Sequence, residues 1–188
     1  YPSFFPILDK FYRAEYGEDY MQRYEEDKDM QYRITNQFQN LIFSFNFPFR
    51  GNQSSFTNLS VLDRGFAHAL FDGFTFADDG TEPNIDSFVE LSKKFFEYFV
   101  EINNKEGVFT FPVMTLAVSL DENNNYEDES IINWISEVNH GKSIGNIFQS
   151  RPNSFCSCCF DGQQKVLTKS SAGIKLCTMK EAMEGAYD

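Results

Sequence analysis

The sequence has no run of basic residues, and Asp and Glu outnumber Lys and Arg by 28 to 16, so the formal net charge is −12. Binding along a long nucleic acid depends on clustered positive charge, which argues against such a partner. The sequence also has no stretch of about 18 apolar residues, so no membrane-spanning helix is predicted.

The chain also lacks a signal sequence at its start and contains few cysteines. The first residue is Tyr1 and no basic-then-apolar signal sequence follows, which predicts an internal piece of a longer polypeptide. Cysteine occurs 4 times, and Cys156, Cys158 and Cys159 lie almost side by side. Adjacent cysteines make a poor disulfide framework for a secreted domain, so a reducing, cytoplasmic location is expected.

Aromatic residues are abundant, at 17% of the chain with 22 Phe, and they predict a well-filled core. Apolar periodicity predicts helices over 7–16, 20–45, 64–71, 85–103 and 127–139, and strands over 56–62, 109–120 and 144–149. Strands that alternate with helices predict the α/β class, with a mainly parallel sheet or barrel. The Phe-rich composition ends near Cys159, where we predict a boundary between units 1–158 and 159–188. In the second unit we predict a strand over 166–168, a turn at Gly173 and one helical turn over 179–183.

The cysteine-rich segment has three interpretations. Free cysteines are often small buried apolar groups, and packing alone would explain them. A zinc site requires further ligands, but His68, His140 and Cys177 follow no recognisable zinc spacing, and we predict no metal. The third interpretation is thiol chemistry, because loops after parallel strands are where α/β proteins place active sites.

A row of small polar residues precedes the first predicted strand. It contains Asn52, Gln53, Ser54 and Asn58, whose amides and hydroxyls offer uncharged donors and acceptors suited to a sugar or a base edge. The alternative is an ordinary polar turn with local caps. Acidic residues at 121–129 are interpreted as a solvated turn and a helix start, and the two histidines as structural residues without partners.

Five blocks of the chain together resemble the anaerobic, glycyl-radical ribonucleoside triphosphate reductases. The longest, residues 50–63 (RGNQSSFTNLSVLD), resembles the family motif RGNQSxFTNxSVxD. The other blocks follow in the family's order: PNID at 83–86, FTFPVMT at 109–115, ISEVN at 135–139 with GNIF at 145–148, and SCC at 157–159.

The resemblance implies part of a ten-stranded α/β barrel and a radical reaction. In that family a glycyl radical, installed by an activase that uses an iron–sulfur cluster and S-adenosylmethionine, oxidises a cysteine on a loop inside the barrel. The thiyl then removes hydrogen from the ribose 3′ carbon. By resemblance, Cys158 lies on the radical loop, and Asn52, Gln53, Ser54 and Asn58 lie towards the ribonucleoside triphosphate.

The sequence departs from the family after Cys159, where Phe160-Asp161 replaces the expected Arg-Leu. Residues 159–168 (CFDGQQKVLT) resemble the first block of an intein instead. Inteins begin with a Cys or Ser that attacks the preceding carbonyl in an N-to-S acyl shift, which here makes Cys159 the nucleophile. Residues 159–188 are therefore expected to be a β-rich intein fragment.

These resemblances imply an oxidoreductase that is inactive as this fragment, contains no cofactor of its own and forms a homodimer when complete. Its expected partners are the rest of the reductase, the remainder of the intein and the activase. An alternative from another class is a non-catalytic α/β module that binds a nucleotide or sugar, with a divergent C-terminal insertion.

Overall fold

The computed structural model describes residues 3–48, 56–107, 109–141 and 144–151, together with the backbone of four later strands. The helices are α1 (Phe4–Tyr16), α2 (Tyr20–Arg23), α3 (Lys28–Asn46), α4 (Arg64–Phe71), α5 (Ile85–Glu106) and α6 (Glu129–Asn139). The strands are β1 (Asn58–Leu62), β2 (Val113–Ser119), β3 (Gly145–Ser150), β4 (Cys156–Ser157), β5 (Phe160–Asp161), β6 (Val166–Ser170) and β7 (Gly173–Cys177).

Strands β1, β2 and β3 form a parallel sheet with β2 in the centre. The register pairs Asn58 with Val113 and Ser119 with Ser150, so the carboxyl ends of all three strands lie at one edge. Parallel neighbours require crossover connections, which α4 with α5 and then α6 supply. The predicted α/β class and parallel sheet are confirmed, and a ten-stranded barrel stays a prediction.

Helix α5 is the main support of the sheet. It packs against β1 and against α1, α3, α4 and α6, and its buried face carries Phe88, Leu91, Phe95, Phe96 and Phe99. Its start was predictable, because Asn84 caps it by accepting a hydrogen bond from Ser87 N at 3.1 Å. A Cβ on Gly145 would lie 2.8 Å from the Phe96 ring, so β3 begins with a glycine where it approaches α5.

The helix predicted over 20–45 is wrong in one respect, because the structure has two helices there. The break falls before Asp27, whose carboxylate accepts a hydrogen bond from Met30 N at 3.0 Å and caps α3. A side chain that satisfies a free backbone N–H in this way favours a new helix start over continuation. Helix α3 ends at Asn46, and Phe47 is extended before Pro48, as expected for a residue that precedes proline.

The strands after the sheet pair locally. Strand β4 pairs antiparallel with β5, and β6 pairs antiparallel with β7. The strand predicted at 166–168 is confirmed. Gly173, predicted as a turn, is instead the first residue of β7 and pairs with Ser170. The helical turn predicted at 179–183, together with Cys158, Cys159, Asn52, Gln53 and Ser54, lies outside the described residues.

A buried carboxylate joins the helices that cover α5. Asp9 of α1 is fully buried and accepts hydrogen bonds from Arg13 Nε at 2.8 Å, from the Tyr20 hydroxyl at 2.7 Å and from the Ser87 hydroxyl. Burial raises the pKa of Asp9, although these donors oppose the shift. The cluster therefore ties α1 to α2 and α5, because opening it would leave a buried carboxylate without its donors.

Two neighbouring tyrosines provide a matched test of that cluster. Tyr12 and Tyr20 are both buried, with ring centroids 5.9 Å apart, but the Tyr12 hydroxyl has no hydrogen-bond partner among the described residues. We expect Tyr20→Phe to lower the free energy of unfolding by about 1.5–3 kcal/mol, because Asp9 loses a buried donor.

We expect Tyr12→Phe to change the same quantity by less than about 0.5 kcal/mol or to raise it, because it removes an unsatisfied buried hydroxyl. Urea unfolding of both variants measures the difference. Equal losses in the two variants would contradict the role of Asp9.

Candidate active site

Alternation along the three parallel strands gives the sheet two chemically different faces. Because successive side chains point to opposite sides, residues in register with one another share a face. One face carries Leu59, Val61, Met114, Leu116 and Val118, all buried. The opposite face carries Leu62, Ala117 and Phe148 towards the carboxyl edge, and Asn58, Ser60, Thr115 and Asn146 towards the other edge. We call the last four residues the polar face.

The polar face is hydrogen bonded within itself. Asn58 Nδ2 donates to Thr115 Oγ1 at 3.2 Å, and Thr115 stands in register with Ser60 on one side and Asn146 on the other. The Asn146 amide lies 3.4 Å from the Met114 carbonyl oxygen. Ser60 and Thr115 are buried, whereas Asn146 is exposed. Amides and hydroxyls arranged in this way can recognise hydroxyl groups without introducing charge.

Of the predicted site residues, the structure places Asn58 on this face, at the start of β1. Ser60, Thr115 and Asn146 were missed by sequence reasoning. All three lie inside the motif blocks, and their two-residue alternation with apolar neighbours was the available signal. What the sequence alone does not reveal is the register that aligns Ser60, Thr115 and Asn146 on the same face as Asn58.

A second polar cluster lies at the carboxyl edge of the sheet. Asp63 directly follows β1 and is fully buried; it accepts hydrogen bonds from Phe66 N at 2.9 Å, Ser119 N at 2.5 Å and Ser119 Oγ at 2.6 Å. One carboxylate thus caps α4 and fixes the end of β2. A Cβ on Gly65 would lie 2.2 Å from Ser119 Oγ, so only glycine fits at this contact.

The pKa of Asp63 is raised, because burial outweighs the hydrogen bonds from Phe66 and Ser119 that favour the charged form. Asp63 closes the long motif in the sequence, so its position was a signal that the residue is more than a helix cap. We assign it to holding the strand ends in place.

The acidic segment 121–129 is confirmed as a turn and a helix start. Asp121 accepts hydrogen bonds from Asn123 N and Asn125 N, each at 2.8 Å, and Asp128 caps α6 through Ser130 N. The prediction that His68 has no partner is wrong, because its Nδ1 lies 2.9 Å from Asp72 Oδ1 on the exposed side of α4.

Within the described part of the chain, no group of three or more His, Cys, Asp or Glu side chains is arranged to hold a metal ion. All four cysteines lie where no side chain is described. None of the described helices combines the length and apolar character needed to cross a bilayer.

The motif blocks agree with a comparison against protein families. The family model for anaerobic ribonucleoside-triphosphate reductase matches residues 1–171. The chain belongs to this reductase family. The family is one of oxidoreductases, so the enzyme class predicted from the motifs is confirmed at that level.

Solved structures give the same result. The anaerobic ribonucleotide reductase from Thermotoga maritima with glycerol in the active site is 26% identical, with a TM-score of 0.71 over 90% of this chain. The same enzyme with MES in the active site is 27% identical, with a TM-score of 0.68 over 80% of this chain. A third structure, in complex with dATP and CTP, is 23% identical and supports the fold alone.

This reductase chain covers only part of those relatives, namely 28% and 24% of the glycerol and MES structures. No curated protein gives a match. The matched residues 1–171 include all of the polar face.

The contact between Ser119 and Asp63 generates a pH-dependent prediction. A raised Asp pKa means that stability from Asp63 is greatest below the unfolded value of 3.8 and is lost as pH rises through the folded pKa. The Ser119 hydroxyl opposes this loss, since it stabilises the ionised carboxyl and lowers the pKa.

We therefore expect Ser119→Ala to lower the free energy of unfolding by about 1.5–3 kcal/mol near pH 7 and by about 1 kcal/mol or less near pH 4, where Asp63 is increasingly protonated in wild type and variant. Urea unfolding across this pH range measures the difference. A loss that stays constant with pH would show that the hydroxyl does not act on the ionised carboxyl.

Proposed function

We propose that the complete protein reduces ribonucleoside triphosphates to deoxyribonucleotides by thiyl-radical chemistry and that this chain supplies part of its active site. The observation that carries the proposal is the match to the reductase family over 1–171, together with an uncharged polar face that begins at Asn58. Because this chain spans only 24% of one solved relative, we expect it to be inactive alone.

Substrate binding is assigned to Asn52, Gln53, Ser54 and Asn58. Asn58 sits on the polar face beside Thr115, and the other three precede it closely in the chain. Amides and hydroxyls donate to and accept from ribose hydroxyls, and a site built for such bonds discriminates strongly against analogues that lack them. The triphosphate is expected to be held largely by groups outside the polar face, because the four residues of that face carry no positive charge.

The radical step is assigned to Cys158. Its thiyl takes a hydrogen atom from the ribose 3′ carbon, the 2′ hydroxyl leaves as water after protonation, and an external thiol, formate or cysteine pair supplies the two reducing electrons. We assign four further features to parts outside this chain: the glycyl radical, the activase contact, the remaining strands of a ten-stranded barrel and the second protomer of a homodimer.

The intein proposal concerns Cys159. Its support is that Phe160-Asp161 stands where the family has Arg-Leu and that β4 and β5 pair antiparallel on either side of the Cys158–Cys159 bond. An N-to-S acyl shift replaces the amide between these residues by a thioester, with the thiol proton passing to the released amine. The paired strands β6 and β7 agree with a β-rich segment after the junction.

A second candidate is a reductase that carries a divergent insertion and no working intein. The observation that favours it is that the family match continues to residue 171, past the proposed junction. In that case Cys158 stays joined to Cys159 in the mature protein. The two candidates share the reductase activity and differ in the covalent structure of the mature chain.

Asn58 provides the test of substrate binding. We expect Asn58→Ala in the complete reductase to raise the KM for the ribonucleoside triphosphate about tenfold or more, because a hydrogen bond on the polar face is lost. Asn40→Ala, at an exposed position of α3, is the matched control and should leave KM unchanged. Steady-state assays under anaerobic conditions give both values, and an unchanged KM for Asn58→Ala would remove Asn58 from the substrate site.

Cys159 provides the test of splicing. When the complete reading frame is expressed, we expect residues 159–188 to be removed with the rest of the intein. Peptide mass spectrometry should then find Cys158 joined directly to the Cys-Arg-Leu of the family motif, which is expected to follow the intein. Cys159→Ala should abolish this joined peptide, because the acyl shift needs the thiol. Cys177→Ala is the control and should still splice. A mature protein in which Cys158 remains joined to Cys159 and Phe160 would support the divergent insertion.

A further inference from the structure

The hydrogen bond between Asn58 and Thr115 runs diagonally across the sheet. In the register of β1 and β2, Asn58 pairs with Val113, whereas Thr115 pairs with Ser60. Asn58 Nδ2 nevertheless reaches Thr115 Oγ1 at 3.2 Å, two positions further along β2 than the residue directly opposite. Each position advances a strand by about 3.3 Å. The Asn58 side chain therefore leans along the strand, in the direction of the carboxyl edge of the sheet.

Thr115 is a polar residue in a buried, mainly apolar strand. The other residues of β2 are Val, Met, Leu and Ala, apart from Ser119 at its end. Thr115 is only 4% exposed, and a buried hydroxyl costs free energy unless it is hydrogen bonded. The Ser119 hydroxyl bonds to Asp63, and among the described residues the Thr115 hydroxyl bonds to Asn58. Each hydroxyl on the central strand thus serves one specific contact.

A bond to the amide nitrogen also determines how an asparagine presents its oxygen. The amide carries two donors on nitrogen and an acceptor oxygen in one planar group, so fixing one side fixes the other. The terminal torsion of an asparagine is otherwise broad, with no sharp preference of its own. A threonine hydroxyl can accept from the amide nitrogen, whereas a valine of the same branched shape cannot.

We propose that Thr115 is a positioning residue for Asn58. Its hydroxyl draws the Asn58 amide towards the carboxyl edge, the side on which α/β proteins bind their ligands, and sets how that amide meets the substrate. Thr115 acts through Asn58 and not on the substrate itself. The inference deepens the proposed function and rests on it, because it takes the substrate role of Asn58 from there.

A positioning role and a merely structural role of Thr115 predict different kinetics. A hydroxyl that only stabilises β2 affects unfolding, and the KM of the folded enzyme stays the same. A hydroxyl that acts through Asn58 affects KM only while the Asn58 amide is present. The effects of the two substitutions on KM are then not additive.

The experiment uses the complete reductase with Thr115→Val, which removes the hydroxyl and keeps the branched shape. Thr115→Ser tests rescue because it keeps the hydroxyl, and the combination of Asn58→Ala with Thr115→Val completes a double-mutant cycle. Thr35→Val on α3 is the matched control, since the Thr35 hydroxyl donates to Gln31 O at 2.7 Å within its own helix. The readouts are KM, kcat and Tm, together with crystal structures of the Thr115 variants.

We expect Thr115→Val to raise KM about threefold to tenfold and to change kcat by less than about twofold, because the amide is present but no longer held. Thr115→Ser should recover at least half of this change, and Thr35→Val should leave KM unchanged. In the Asn58→Ala background, Thr115→Val should change KM by less than about twofold. The Asn58 amide should turn away from position 115 in the Thr115→Val crystal structure and keep its place in Thr115→Ser.

An Asn58 amide that keeps its place in Thr115→Val overturns the inference, whether or not the enzyme is active. An unchanged KM for Thr115→Val beside a raised KM for Asn58→Ala also overturns it, as does an equal KM change in both Asn58 backgrounds. Wild-type protein that lacks reductase activity, while the amide still turns in Thr115→Val, would instead reject the proposed function and keep the role of Thr115 in holding Asn58.

Discussion

Hydrogen bonding on both edges of β2 is the constraint on which the structure depends. Val113–Ser119 lies between β1 and β3, so its register fixes theirs, and a buried strand leaves no backbone group free to accommodate a shift. The apolar side of the sheet packs against α5 at β1, and α5 is in turn covered by α1 and α3. The polar face and the alignment of three carboxyl ends at one edge are consequences of the same pairing.

Two buried carboxylates extend that constraint beyond the sheet. Asp63 joins β1, α4 and β2, while Asp9 joins α1, α2 and α5. Both accept several hydrogen bonds from different elements, and burial raises the pKa of both. A carboxylate of this kind selects one arrangement of its donors, because any other arrangement leaves a buried polar group without a partner. The fold is therefore specified both by apolar packing and by these two buried carboxylates.

Sequence reasoning succeeded where a signal is local. Helix α4 has its predicted bounds because Asp63 precedes it as a cap, and α5 begins as predicted after Asn84. It failed at Asp27, where apolar periodicity runs on through a break made by one side-chain hydrogen bond. Thr115 and Asn146 escaped notice because their place beside Asn58 depends on register between distant strands. The positions of Cys158 and Cys159 are predicted by resemblance alone and stay predictions.

The alternation of the sheet faces limits how β1 can change its length. Removing one residue from within β1, between Asn58 and Leu62, would turn the side chains on one side of the deletion to the opposite face of the sheet. A single substitution at an exposed helix position has no such effect. Insertions and deletions in this segment should therefore be tolerated less well than substitutions. Among relatives, we expect the spacing of the motif to vary less than the residue types at most of its positions.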